Sequence, residues 1–149
     1  MTPVTVQAMR HIAFCQHRAD GTLTVFPADR KGVPFSIRRV FTITGVSPDG
    51  VRGNHAHREC SQLLACLSGQ VSVIVHDGFE TALETLDDDG VSLLIPPMLW
   101  NTVKFDGPST VLAVFCDELY AASDYIRDWS EYTQLKAAER DPIHESPRS

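Results

Sequence analysis

Two histidines separated by one residue are the side chains of this sequence best suited to acid–base chemistry. His55 and His57 lie in the segment 50–69, which reads GVRGNHAHRECSQLLACLSG. In an extended strand, residues i and i+2 project from the same side of the sheet. Imidazole titrates near neutral pH and can both accept and donate a proton. A lone strand histidine is more often a satisfied core or surface residue, but this same-face pair predicts a shared pocket.

The spacing around the pair resembles the first of the two metal-binding signatures of cupins. Gln62 takes the position normally held by a metal-binding glutamate, and Gly69 completes the match. A second signature begins at Gly90 and Pro96, but residues 99–101 read Leu-Trp-Asn where a third histidine ligand is expected. A transition-metal site usually needs three protein ligands and an open position. The sequence therefore predicts a cupin with no catalytic metal, and both histidines remain free for proton chemistry.

Short apolar or alternating runs separated by turn residues predict the strands that carry this pair. The runs cover residues 35–44, 63–67, 71–75, 81–86, 91–95 and 111–115. Six or more short strands at a spacing of roughly 8 to 12 residues predict a sandwich, jelly roll or barrel. With the cupin signatures, the predicted fold class is all-β, a cupin-type double-stranded β-helix (jelly roll) with a short C-terminal α-helix.

The length of 149 residues and the 43% hydrophobic content suit one globular domain. Residues 1–34 are expected to form N-terminal strands and residues 35–116 the β core. The pattern changes to helical spacing over 120–139, with Ser123 or Asp124 as the helix N-cap. Residues 141–149 contain two prolines and few apolar side chains, so a frayed tail is expected there.

Charge and cysteine usage exclude several classes of partner. The formal net charge of -6 and the pI near 5.4 argue against binding to duplex DNA or to an anionic membrane. Residues 30–58 are nevertheless rich in arginine, which indicates either a solvated basic face or an anion site. Four scattered cysteines without a CxxC pair, and no apolar run long enough to cross a bilayer, predict a cytoplasmic protein that is neither exported nor anchored.

An ordered set of motifs over residues 33–133 resembles the sugar 3,4-ketoisomerases, which are metal-free cupins. The motifs are PFSIRRV at 34–40, RGNHAH at 52–57, Gln62, Gly69, DG at 77–78, PPM at 96–98, Trp100 and DYIRD at 124–128. Enzymes of that family convert dTDP-4-keto-6-deoxyhexoses to the 3-keto compounds on the way to deoxyamino sugars of lipopolysaccharide or other glycans.

The resemblance implies a reaction through an enediol, with His57 as the catalytic base and His55 as its partner. No cofactor is required, because the reaction moves one proton between neighbouring carbons and changes no overall oxidation state. The residues expected to bind the dTDP-linked sugar are Arg39, Arg52, Gln62, Trp100 and Asn54. A guanidinium can bind two oxygens of a diphosphate at once, and Trp100 is expected to line the pocket.

The chain departs from the family pattern at Phe41 and Thr42, where relatives carry tyrosines. Either that phenol is dispensable, or its work moves to Thr42 or to a water molecule, or this chain catalyses a variant reaction. The resemblance also implies a homodimer that exchanges N-terminal strands, and the alternating segment 22–26 is compatible with such an edge strand.

Three other functions remain open at this point. A nucleotide-sugar epimerase with a related cupin pocket would also use histidine proton transfer, with acid and base on opposite faces of the sugar. A non-catalytic nucleotide-sugar-binding cupin would use the histidines only as hydrogen-bonding groups. A metal-dependent cupin oxygenase or isomerase is disfavoured, because Gln62 and the missing third histidine leave too few ligands.

Overall fold

The computed structural model describes residues 3–140. The predicted frayed tail, 141–149, lies outside the described residues. The strands are β1 (Arg10–Ala13), β2 (Cys15–Ala19), β3 (Gly21–Val25), β4 (Arg39–Ile43), β5 (Val51–His57), β6 (Gln62–Ser68), β7 (Gln70–His76), β8 (Thr81–Asp87), β9 (Val91–Ile95), β10 (Trp100–Phe105), β11 (Val111–Cys116) and β12 (Tyr125–Ile126). The described helices are the α-helix α1 (Trp129–Arg140) and two short 3₁₀ helices, Val6–Ala8 and Ala122–Asp124. No helix within this range is long and apolar enough to cross a membrane.

Two five-stranded antiparallel sheets form the body of the fold. The first sheet has the strand order β1-β9-β6-β11-β4, and the second has the order β12-β5-β10-β7-β8. Strands β2 and β3 pair only with each other, as a separate hairpin. The all-β prediction with a short C-terminal helix is therefore confirmed.

The main core lies between the two sheets. Val71, Val73 and Val75 of β7 are at most 1% exposed, and the residues between them are more exposed, as expected for a strand with one buried face. They belong to one buried cluster with residues of the opposite sheet, which include Leu64 of β6 and Leu112 of β11. Burial of this apolar surface provides the main stabilisation of the double sheet.

The outer face of each sheet is also covered near its centre. Leu63 of β6 packs outward against Phe14 and Val33, which explains why β6 is buried on both faces. On the second sheet, α1 packs Tyr132 against Ala56 of β5. The contact of Tyr132 with Ala56 supports β5, the strand that carries the histidine pair.

The C-terminal helix begins later than the sequence pattern predicts. It starts at Trp129 rather than at residue 120, because Tyr125 and Ile126 pair with β5 instead of continuing a helix. The N-cap is Asp128, whose Oδ1 accepts a hydrogen bond from the backbone N–H of Glu131 at 3.0 Å. The predicted caps, Ser123 and Asp124, lie in the preceding 3₁₀ turn, so this part of the prediction is wrong.

Strand β5 contains a β-bulge immediately before the histidine pair. Asn101 of β10 lies opposite His55. The next residue of β10, Thr102, lies opposite Gly53, so Asn54 is an extra residue in the ladder. Gly53 and Asn54 have φ angles of 89° and 59°, a left-handed conformation that glycine and asparagine adopt more readily than other residues. The Gly-Asn dipeptide therefore suits the bulge.

The bulge decides which side chains of β5 face the space between the sheets. Cross-strand partners project from the same face of a sheet. Arg52 pairs with Val103, which is buried between the sheets, and His55 pairs with Asn101. In an unbroken strand residues 52 and 55 would point to opposite faces. The extra residue lets the arginine and the histidines share one side.

We predict that Gly53→Ala destabilises the fold by about 1–3 kcal/mol, because the substitution forces a side chain into a left-handed conformation. The new Cβ would also lie 2.9 Å from the backbone oxygen of Asn101. Gly107→Ala is the matched control, since no atom lies within 4 Å of its Cβ and its φ is not left-handed. Urea unfolding should show a change within about 0.5 kcal/mol for that control. Equal effects of the two substitutions would refute the assigned strain.

Candidate active site

A cavity of about 390 Å³ opens between the two sheets. Strands β4, β6 and β11 contribute mainly apolar side chains to its wall, whereas β5, β10 and the segment at β12 contribute polar ones. The polar side chains of the described lining are Arg52, Asn54, His55, Gln62, Asn101, Tyr125 and Arg127. This volume and this mixture of apolar wall and few polar groups are typical of small-molecule sites.

The two histidines lie together at one end of this cavity. His55 lines it directly, and His57 lies deeper, with 3% of its surface exposed. Their ring centroids are 4.9 Å apart, in agreement with the i, i+2 spacing. The imidazoles are therefore close enough to act on one bound molecule.

A carboxylate orients the deeper histidine. Nδ1 of His57 lies 2.8 Å from Oδ2 of Asp124, while Oδ1 of Asp124 accepts a hydrogen bond from the backbone N–H of Glu59 at 2.7 Å. Because an ionised carboxylate can only accept, Nδ1 of His57 carries the proton. The other ring nitrogen, Nε2, then has a free lone pair, and it is buried without a hydrogen-bond partner among residues 3–140. This nitrogen can serve as a general base.

The surroundings lower the pKa of both histidines, but a carboxylate opposes this effect only at His57. Burial, with smaller contributions from His57 and Arg127, lowers the pKa of His55 to about 4. Burial also lowers the pKa of His57, although the hydrogen bond and the charge of Asp124 act in the opposite direction. Asp124 thus stabilises the protonated form of His57, which makes His57 the better acceptor of a proton.

A phenol from β12 completes the group. The Tyr125 ring centroid lies 4.4 Å from that of His57 and 5.0 Å from that of His55, and the Arg127 guanidinium stacks on Tyr125 at 4.2 Å. Phe41 lines the cavity from β4, so the phenol of the described lining comes from Tyr125 on β12. Sequence reasoning missed Asp124 and Tyr125 as site residues, although the DYIRD motif contained the signal.

Arg39 is the first residue of β4 and projects from the same face as Phe41 and Ile43, which line the cavity, although Arg39 itself is not a lining residue. Its Nη2 donates to Sγ of Cys116 at 3.6 Å, and Gln62 donates to the same sulfur from Nε2 at 3.8 Å. The neighbouring Cys60 thiol, with a smaller contribution from Arg39, lowers the pKa of Cys116 and outweighs the opposing effect of burial. Nε of Arg39 is buried and has no partner within the described chain. Arg39 thus retains an unused donor.

Two other predicted binding residues border the cavity from β5. Arg52 lines its wall and is exposed, so its guanidinium is free to bind a ligand at the mouth. Asn54 also borders the cavity, but its Oδ1 accepts a hydrogen bond from Oγ1 of Thr102 at 2.8 Å. The Asn54 side chain therefore stabilises the bulge.

The prediction that Trp100 lines the pocket is wrong. Its indole packs against Trp129 and Tyr132 of α1, with ring centroids 5.2 and 5.4 Å away, on the outer face of the second sheet. Side chains of a strand alternate between faces, and the next residue, Asn101, is the one that lines the cavity. Because α1 covers the outer face, both faces of the sheet are apolar at this position. The apolar character of Trp100 therefore did not indicate which face its side chain occupies.

The residues of the site do not fit a catalytic divalent cation. His57, Cys60 and Asp124 offer ligand atoms within 4.8 Å of one another, but Nδ1 of His57 and Oδ2 of Asp124 are already bonded to each other at 2.8 Å. Both oxygens of Asp124 already accept hydrogen bonds. At the cavity itself, Gln62 and Asn101 offer amides, which are poor ligands for such ions.

The two sequence comparisons with known proteins agree on one family. The family profile described as FdtA (WxcM-like, C-terminal) matches residues 4–137. A TDP-4-oxo-6-deoxy-alpha-D-glucose-3,4-oxoisomerase from Aneurinibacillus thermoaerophilus is 35% identical over 109 residues, which are 73% of this chain and 78% of the relative.

Solved structures point to the same group. QdtA, a sugar 3,4-ketoisomerase from Thermoanaerobacterium thermosaccharolyticum in complex with TDP, superposes with a TM-score of 0.82 at 33% identity, covering 89% of this chain and 96% of that one. A histidine-to-asparagine mutant of QdtA in complex with TDP-4-keto-6-deoxyglucose gives a TM-score of 0.81 at 31% identity, covering 93% and 97% of the two chains.

We predict that acid destabilises this protein partly through His55. Its pKa falls from 6.5 to about 4 on folding, so the unfolded chain binds the proton more tightly. The contribution of neutral His55 to stability is therefore present above pH 6.5 and is lost as the pH falls toward 4. Thermal unfolding of His55→Asn should show a smaller loss of midpoint over this interval than the unmodified protein. Parallel pH profiles would contradict the assignment.

Proposed function

The chain belongs to the FdtA family and is a sugar 3,4-ketoisomerase, and we propose that His57 carries the proton in its reaction. The proposed substrate is a dTDP-linked 4-keto-6-deoxyhexose, whose ketone moves from carbon 4 to carbon 3. The observation that supports this role most directly is the free Nε2 of a buried His57 whose Nδ1 is bound to Asp124.

The chemistry needs one group that can reach two neighbouring carbons. His57 takes the proton from carbon 3, an enediol forms, and the proton returns to carbon 4. A positioned acid–base group of this kind contributes on the order of 10² to 10⁴-fold to the rate. Asp124 maintains the tautomer that leaves Nε2 unprotonated, and it stabilises the imidazolium that forms in between.

The remaining predicted residues suit the substrate's polar parts. We assign Arg52 to the diphosphate, because its exposed guanidinium lies at the cavity wall and can bind two oxygens at once. Arg39 is assigned to a sugar or phosphate oxygen through its unpartnered Nε. Gln62 lines the cavity, and its amide oxygen can accept a hydrogen bond from a sugar hydroxyl.

The arrangement favours isomerisation over epimerisation. An epimerase needs an acid and a base on opposite faces of the sugar, whereas His55, His57 and Tyr125 form one group with ring centroids between 4.4 and 5.0 Å apart. Proton removal and return from one side is the requirement of the ketoisomerase reaction. The stereochemistry of the product distinguishes the two.

We also assign the enzyme to the cytoplasm. Its four cysteines are free thiols, and three of them are buried, which suits a reducing compartment. We propose that its product is used to make deoxyamino sugars for lipopolysaccharide or another glycan.

We predict that incubation with dTDP-4-keto-6-deoxyglucose gives the 3-keto sugar, identified by the ketone position in NMR spectra. His57→Asn should lower kcat by roughly 10² to 10⁴-fold, and Asp124→Asn by roughly 10²-fold or more, because the tautomer is no longer fixed. His11→Asn is the control, since His11 is exposed and bonded to Glu84 on the surface.

Three results would count against this proposal. They are no conversion over hours at high enzyme concentration, full activity of His57→Asn, or a change of configuration without movement of the ketone. Binding of dTDP that survives His57→Asn, with no turnover in either protein, would instead indicate a non-catalytic binding cupin.

We further propose a homodimer in which the N-terminal part is exchanged. The β2–β3 hairpin is joined to neither sheet, and Leu23 on it is 61% exposed. Exposed apolar edges of this kind are usually covered by a partner. Sedimentation at micromolar concentration should show twice the chain mass of 16.5 kDa, and Leu23→Glu should shift the population toward the monomer. A single 16.5 kDa species in the unmodified protein would rule the dimer out.

A further inference from the structure

Asn101 is the one amide in the described cavity lining whose nitrogen is buried and unpartnered. It is 4% exposed, it lines the cavity, and it lies opposite His55 across the β5–β10 ladder. Its Nδ2 has no hydrogen-bond partner within residues 3–140. Gln62, the other buried amide of the cavity, differs because its nitrogen donates to Cys116.

A buried donor without an acceptor is costly, and native proteins keep few of them. At the wall of a cavity, such a donor gains its acceptor when a ligand binds. The acceptor must be an oxygen close to the atom on which the neighbouring histidines act, because Asn101 and His55 are cross-strand partners. This placement matches a group that binds the reacting oxygen of the substrate.

We propose that Asn101 is a further catalytic residue, whose Nδ2–H donates a hydrogen bond to the oxygen on carbon 4 as that oxygen becomes negatively charged. This inference rests on the proposed ketoisomerase reaction. Nε2 of His57 takes the proton of carbon 3, and the C–H electron pair forms a double bond between carbons 3 and 4. The π electrons of the carbonyl then move onto oxygen 4, where Asn101 stabilises the charge.

The second half of the reaction restores the neutral enzyme. The hydroxyl proton of oxygen 3 moves to oxygen 4, the carbonyl forms at carbon 3, and the double-bond electrons take the proton back from His57 at carbon 4. No oxidant or reductant is needed. Asn101 gains or loses no proton in either half, because a side-chain amide is a neutral donor.

The residue type at this position agrees with the assignment. Asn101 lies in the segment where the second cupin signature has its third histidine ligand. In a metal cupin that position helps to hold a cation able to polarise a carbonyl. A preoriented amide donor on a side chain that is only 4% exposed supplies the same stabilisation of developing negative charge.

The test compares Asn101→Ala and Asn101→Asp with the unmodified enzyme in steady-state kinetics and in TDP binding by calorimetry. Asn101→Ala should lower kcat by roughly 10² to 10³-fold, the usual effect of removing one oxyanion donor. TDP affinity should change by less than about threefold, because the transition-state oxygen is absent from TDP. Lys104→Ala, on an exposed residue of the same strand, is the control expected to leave kcat unchanged.

Asn101→Asp separates chemistry from structure, because it keeps the shape of the side chain but replaces the N–H donor with a carboxylate oxygen. Its kcat should fall by roughly 10²-fold or more. This measurement tests the proposal even if Asn101→Ala does not fold. Retained kcat in Asn101→Asp, or a reduced thermal midpoint with unchanged kcat in Asn101→Ala, would overturn the inference. If the unmodified enzyme itself yields no 3-keto product, the proposed function fails, and Asn101 loses its role with it.

Discussion

The hydrogen bond between His57 and Asp124 is the constraint on which the site depends. It joins β5 to the segment that precedes α1, two parts of the chain 67 residues apart in sequence. The same carboxylate accepts the backbone N–H of Glu59, so it also holds the turn that follows β5. Because Tyr125 follows Asp124 directly and pairs with His57 in the ladder, this bond brings the phenol against both imidazoles. One carboxylate thus sets the tautomer of His57 and the position of its neighbours.

The bulge in β5 is the second condition. A regular strand would have offered either Arg52 or the histidines to the cavity, since side chains alternate between faces. The extra residue at Asn54 removes this restriction, and the hydrogen bond from Thr102 stabilises it. A local irregularity of the backbone therefore brings a cationic group and the histidine pair to the same side of β5, and bulges commonly re-aim side chains in this way near active sites.

Much of the fold and the histidine pair could be predicted from the sequence, because both depend on local periodicity. The predicted runs correspond to strands, and the two imidazoles lie 4.9 Å apart, as their i, i+2 spacing in a strand predicts. The partners of these groups could not be predicted in the same way. The sequence around Asp124 predicts a helix cap, and only the folded structure shows that β5 lies beside it and that it bonds to His57. Trp100 faces outward because α1 covers that face of the sheet. Contacts between segments that are distant in the chain produce no local periodic pattern from which they could be predicted.

The electrostatics of the cavity connect binding to proton transfer. The chain carries a net charge of -6, yet the described cavity lining includes Arg52 and Arg127 and no carboxylate. Arg127 also lowers the pKa of both histidines, in addition to the larger effect of burial. Arg127 therefore adds to the effect of burial in keeping the imidazoles neutral, which is the form that accepts a proton. Under the proposed assignment of Arg52 to the diphosphate, the bound anion would oppose the positive field at the cavity and would raise the proton affinity of His57 once the substrate is in place.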